Sequence, residues 1–255
     1  MKLGLVGSEM CIRDRWRTGY LDIMNIRAVI FDKDGTLFDF QDTWGVWTGS
    51  VLARIAGSDA AMFQSLAQAL KYDVIAKKVL PGSVVIAGTP VEISEVIQSF
   101  KTDMKVSDII SQINEEAETA PQTLVTDLKL LTKQLRSQSL KLSVMTNDAE
   151  TPARMHLQVE GALDLFDYVI GSDSGFGAKP DPEPLLALAT KMDVSASNCV
   201  MVGDSTYDLI AGRSAGMYTV GVLTGLAELK DLTNLADTVL PDISYLATWI
   251  SSQNS

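Results

Sequence analysis

Ala28-Val29-Ile30-Phe31-Asp32-Lys33-Asp34-Gly35-Thr36-Leu37 is an apolar run that stops at two carboxylates and turns at a glycine. Four consecutive apolar residues read as a strand buried on both faces, as in the middle of a parallel sheet. Such a strand has no place for an aspartate, so Asp32 is expected where the strand emerges. In open α/β sheets that carboxyl edge is where ligands bind. Gly35 lets the backbone turn where a Cβ would obstruct it. Two acids at positions i and i+2 repel one another unless they share a cation or a proton, which points to a metal site or acid–base chemistry.

Three more segments share this character. Leu142-Ser-Val-Met-Thr146-Asn147-Asp148 is a second apolar run, ending in a hydroxyl. Gly177-Ala-Lys179-Pro-Asp-Pro-Glu-Pro184 places a lysine in a proline-stiffened loop before a helix. Cys199-Val-Met-Val-Gly203-Asp204 is a third run, with Asp208 four residues beyond its acid. Singly these are a cap residue, a solvated lysine and an acidic helix start.

Around them the pattern alternates helix and strand from about Pro121 onward, as a doubly wound parallel sheet requires. Leucines 124, 128, 131 and 135 mark a helix leading into strand 142–146. Strands are also expected at 168–170, 199–203, 219–223 and 238–240, with helices over 183–192 and 206–215. Between Asp39 and Pro121 the apolar spacing is helical instead. Trp44, Trp47, Val51 and Ile55 share a face, and a helix over 60–70 is expected to be continued or followed by 72–79. Thr89-Pro90-Val91-Glu92 is a capping box with proline at the first helical position. The apolar face of that helix is read as Val91, Ile93, Val96, Ile97 and Phe100. Ser107 is expected to cap a short helix through Ile113.

Composition sets the outer limits. The chain has 255 residues, 46% of them hydrophobic and 21% charged, in the range of an ordinary globular protein. Its net charge of −11 argues against nucleic acid or an anionic membrane as partner, and no apolar stretch has the length of a membrane span. Two cysteines, Cys11 and Cys199, form no disulfide framework, which fits the cytoplasm. The single histidine, His156, has no serine or cysteine motif beside it and is read as a surface residue.

Residues 1–23 stand apart. Leu5 to Arg15 looks like the in-frame translation of a sequencing adaptor, so the head is expected to be non-native and disordered, with Met24 the natural start. The head carries four basic and three acidic groups, leaving 17 against 29 in the rest. Without its head the chain is still acidic.

Taken in order, the four motifs resemble those of the haloacid dehalogenase superfamily, with a helical, C1-type cap and phosphoglycolate phosphatases as the most similar members. The resemblance implies an α/β core of residues 24–42 and 121–255, a doubly wound Rossmann-like parallel sheet, with an inserted all-helical cap over 43–120. It implies a Mg2+-dependent phosphatase of a small phosphorylated metabolite acting through an aspartyl-phosphate. Asp32 would be the nucleophile and Asp34 the acid–base. Thr146, Asn147 and Lys179 would hold the phosphoryl group. Mg2+ would be held by Asp32, the Asp34 carbonyl and Asp204. Gly35 and Asp208 would support the site, Asp208 either near the metal or on Lys179; its alternative reading is a helix N-terminal charge. Asp39, Trp44 and Trp47 are candidates for substrate contact, the tryptophans equally readable as packing. Lys33 is read as solvated or cap-facing. A sugar phosphomutase shares these residues and is the alternative; a phospho-accepting regulatory module is the remote one. The carboxylate of Asp34 favours phosphoryl transfer over dehalogenation, whose leaving group needs no acid. Monomer and homodimer are both compatible with the chain.

Overall fold

The computed structural model describes residues 24–254, so the expectations for the 1–23 head lie outside the described residues. Strand β1 (Ala28–Phe31) opens the fold. An insertion follows: helix α1 (Phe40–Ala56), α2 (Ala60–Ala69), short strands β2 (Tyr72–Asp73) and β3 (Lys78–Val79), α3 (Pro90–Gln98) and α4 (Val106–Glu118). The chain then returns through α5 (Leu128–Ser137), β4 (Lys141–Met145), α6 (Glu150–Val159), β5 (Tyr168–Ile170), α7 (Glu183–Lys191), β6 (Cys199–Gly203), α8 (Thr206–Ser214) and β7 (Tyr218–Val222). Helix α9 (Leu229–Leu232), strand β8 (Thr238–Leu240) and α10 (Leu246–Gln253) close it.

Six strands form one parallel sheet in the order β5-β4-β1-β6-β7-β8. Strand β1 lies between β4 and β6, and Phe31 pairs with both Val144 and Val202. That register carries the residues after Phe31, Met145 and Gly203 to one edge. The chain reverses its order across β1, so this edge is also the switch point where an open α/β sheet has its crevice.

Side chains alternate across the sheet with a period of two. Val29, Phe31, Val144 and Val202 pack on one face with Leu131, Leu135, Leu157 and Ile250. Ala28, Ile30, Met145 and Met201 pack on the other with Leu185, Leu188 and Ala211. The insertion has its own apolar cluster, from Phe40, Trp47 and Leu52 to Ile97, Ile109 and Ile113.

Several local expectations give way here. The insertion is not all helical: residues 72–79 make an antiparallel ribbon pairing Tyr72 with Val79. The Asp73 carboxylate accepts from the N–H groups of Ile75 and Ala76, a local turn that competes with helix. Helix α4 starts before Ser107, with Lys105 at its N-cap, and runs beyond Ile113 because Ile109, Ile113 and Ala117 continue one buried face. In α3 the buried face is Ile93, Ser94 and Ile97; Val91 is exposed, and Phe100 lies exposed past the helix end. His156 is buried, not on the surface. The Thr89–Glu92 capping box is present as read.

Candidate active site

Asp32 follows β1 directly and its N–H donates to the Val202 carbonyl, so the sheet ladder fixes its backbone. Its carboxylate meets Lys179 across 147 residues of sequence: Lys179 Nζ donates to Asp32 Oδ1 at 2.5 Å. The same ammonium donates to Asp208 Oδ1 at 2.6 Å and to the Met145 carbonyl at 3.0 Å. Its three protons are therefore all engaged. Burial disfavours a charged lysine, but Asp208 and Asp32 outweigh it and hold the group firmly protonated.

Asp208 meets two partners. It forms a capping box with Ser205 at the start of α8, its Oδ2 accepting from Ser205 N–H and Oγ, while Oδ1 orients Lys179. Asp204 is buried just after β6. Gly35, at φ +83°, lets the turn press against it; a Cβ there would lie 2.5 Å from the Asp204 carboxylate. Gly225 closes the other side just as tightly.

Burial raises Asp32 to about 7, with Asp208 and Asp34 adding to the effect and Lys179 opposing it. Burial, then the charges of Asp32 and Asp208, push Asp204 well above the carboxylate range. Carboxylate oxygens of Asp32, Asp204 and Asp208 lie within 4.8 Å of one another. Such a cluster of hard oxygens suits Mg2+. Both Asp208 oxygens already have protein donors, so Asp32 and Asp204 are the side chains left to hold a cation. The charge balance agrees. Among the described residues, Asp32, Asp34, Asp148, Asp204 and Asp208 face two cations, Lys33 and Lys179, in this cluster, and a divalent ion would bring it nearer neutrality.

Lys33 faces the insertion, one of its two expected placements, and not solvent, the other. It is fully buried. Its Nζ donates to Asp148 Oδ2 at 2.7 Å and lies 3.2 Å from Asp34 Oδ2. It also sits 2.9 Å from His156 Nδ1 and 5.6 Å from the centre of the Trp44 ring. His156 Nε2 is 2.6 Å from the Ala117 carbonyl at the end of α4. A carbonyl can only accept, so the imidazole proton resides on Nε2 and Nδ1 accepts from Lys33. Burial, then the neighbouring Lys33 charge, lowers His156 to about 4. Burial lowers Lys33, but Asp148 and Asp34 outweigh that and raise it. Neither Asp148 nor His156 is expected at the site from sequence. Asp148 closes the same motif as Thr146, which was the available signal; nothing local marks His156.

Asp34 is raised chiefly by burial, against the pull of Lys33. Its buried Oδ1 has no well-formed hydrogen bond among the described residues, although the Trp44 indole lies near enough to favour its ionised form. Thr146 is buried at the sheet edge, its Oγ1 accepting from Asp148 N–H. The Asn147 side chain ties three segments together. It donates to the carbonyls of Lys179 and of Ala87 in the insertion, both at 2.7 Å, and accepts from Lys179 N–H.

Asp32, Asp34, Asn147 and Asp148 form the floor of a cavity holding about 500 Å3 of space, part of it open to solvent. The insertion supplies the other wall, including Phe40, Trp44, Trp47 and Ile93. Trp44 and Trp47 pack edge to face at 4.9 Å, and Trp47 donates to the Ile113 carbonyl, so they are packing groups and wall at once. Asp39 does not reach the cavity; it caps α1, accepting from Asp42 N–H.

This geometry has counterparts among known proteins. The chain is 29% identical over 231 residues to a phosphoglycolate phosphatase of Neisseria gonorrhoeae, covering 86% of this chain and 89% of that one. The fold matches a HAD phosphatase from Thermococcus onnurineus at a TM-score of 0.63 with 22% identity, over 90% of this chain and 100% of that one. It also matches a beta-phosphoglucomutase from Clostridium difficile at 0.64 with 20% identity, over 90% and 97%. The family profile of haloacid dehalogenase-like hydrolases matches residues 26–216, and the chain belongs to that family.

Proposed function

We propose that the protein is a Mg2+-dependent phosphatase of a small phosphorylated metabolite that works through an aspartyl-phosphate on Asp32. The observation that carries this reading is the pair Asp32 and Asp34 in one cavity, the first held by Lys179 and the second beside Lys33. Asp32 and Asp204, with the Asp34 carbonyl, would hold a Mg2+ ion, which would supply the charge neutralisation a carboxylate needs to meet a phosphate dianion.

The remaining work falls to the chain itself. An Asp32 oxygen attacks phosphorus and the ester P–O bond breaks, while Asp34 passes its proton to the departing alkoxide. Water then attacks the acyl-phosphate, Asp34 takes a proton from it, and inorganic phosphate and free Asp32 result. One group serves both steps because the second reverses the proton transfer of the first. The raised pKa of Asp34 suits it to carry that proton. Thr146 and the N–H of Asn147 hold the phosphoryl oxygens, and the Lys179 charge, held against Asp32, offsets theirs. Residues 43–120 act as a cap over the core of 24–42 and 121–255, excluding water during transfer. An apolar cluster beginning at Phe40, just before that boundary, supports a division into cap and core.

The test is phosphate release from a panel of esters with and without Mg2+, with Asp32→Asn as control. Asp32→Asn is expected to lower turnover at least ~10^3-fold while leaving the circular dichroism unchanged. Near-wild-type release by a folded variant removes Asp32 from the reaction. A phosphomutase is the second reading, favoured by the Clostridium difficile neighbour. Isomerisation of a hexose phosphate faster than phosphate release would select it. Cytoplasmic location and action on a diffusible metabolite, as monomer or homodimer, complete the reading. No described helix is long and apolar enough to cross a membrane.

A further inference from the structure

The cavity's two walls differ in chemistry. Its floor is acidic, with Asp32, Asp34 and Asp148. Its roof, from the insertion, is Phe40, Trp44, Val85, Ile93 and Ile113 among other apolar residues, with Asn114 the one amide. No cationic side chain among the described residues lines that roof.

Other sources of positive charge are already occupied. Lys33 spends its protons on Asp148, His156 and Asp34. Lys179 spends its own on Asp32, Asp208 and the Met145 carbonyl. Pro90 places the start of α3 at the cavity, where the capping box takes two of its leading N–H groups. Thr89 N–H donates to Glu92 Oε2, Glu92 N–H donates to Thr89 Oγ1, and Pro90 has no N–H. The glutamate also sets a negative charge where an anion would approach.

An ester whose phosphorus meets Asp32 on the floor turns its leaving group toward the roof. A carboxylate or second phosphate there would be desolvated without a partner, above a floor of acids. Resting on the phosphatase reading, we propose that this enzyme selects monoesters whose leaving group is uncharged and largely apolar. The cap wall of Trp44, Ile93, Ile113 and Asn114 would enforce that choice against anionic alcohols such as glycolate.

The experiment compares n-propyl phosphate with 2-phosphoglycolate, alkyl esters of similar size, using the full chain with Mg2+ and p-nitrophenyl phosphate as activity control. Expected is a kcat/KM at least about tenfold higher for the propyl ester. Asn114→Lys, checked for an unchanged melting temperature, is expected to narrow that ratio by raising use of phosphoglycolate. Equal or better use of 2-phosphoglycolate by the wild type overturns the proposal while leaving the phosphatase intact. If none of the three esters releases phosphate, the phosphatase reading fails first and takes this one with it.

Discussion

Gly35 shows how much of the site rests on one missing methyl group. It stands at φ +83° with the Asp204 carboxylate against its Cα. Gly35→Ala forces an L-residue into the left-handed region, at about 1–2 kcal/mol, and adds a Cβ where Asp204 lies. A lower melting temperature with an activity loss on the order of 10^2-fold is expected; wild-type values for both would show that neither backbone nor carboxylate needs this space. Residue by residue, the acids and Lys179 were legible because each ends an apolar run or sits in a proline-bound loop, a place that packing alone does not explain. Lys33 was not. Charged residues beside a strand end are mostly solvated, and its burial depends on Asp148 and His156, which reach it from over a hundred residues away.

Between elements, the telling contact is His156 on α6 with the Ala117 carbonyl on α4, which ties the insertion to the sheet. The imidazole is neutral there, with a pKa lowered to about 4 from 6.5. The unfolded chain takes up the proton first as pH falls. Stability is therefore full above about pH 6.5 and declines toward pH 4, by about 3 kcal/mol for this group if the whole shift is realised. His156→Gln keeps one donor and one acceptor without titrating. Its urea midpoint is expected to fall less between about pH 7 and pH 4.5 than the wild type's; parallel declines would assign the acid sensitivity elsewhere. The helix–strand alternation and the α3 capping box could be read because both are local patterns. The ribbon at 72–79 could not, since two-residue strands carry no periodicity and only the Asp73 turn betrays them.

For the molecule as a whole, sequence disclosed the parallel sheet and an insertion after β1, because buried strands and amphipathic helices differ in apolar period. It did not disclose how the insertion's apolar cluster doubles as a cavity wall. That needs the poses of Trp44, Trp47 and Ile93 over a floor built from two distant motifs. Whole-chain charge was likewise a poor guide. The net of −11 describes the surface field, while the candidate site holds two ammonium groups, Lys33 and Lys179, both buried.

Cys199 offers a way to time how the whole structure opens. It begins β6 next to the central strand, is fully buried, and burial pushes its thiol up to about 12. A disulfide reagent cannot reach an unionised sulfur under packed side chains, so modification must wait for β6 to separate from its neighbours. In a Cys11→Ser background, labelling followed by mass spectrometry should therefore proceed at the pace of global unfolding and accelerate with urea in step with it. Fast labelling without denaturant would mean that the sheet's centre breathes locally, beside the very strand that leads into Asp32.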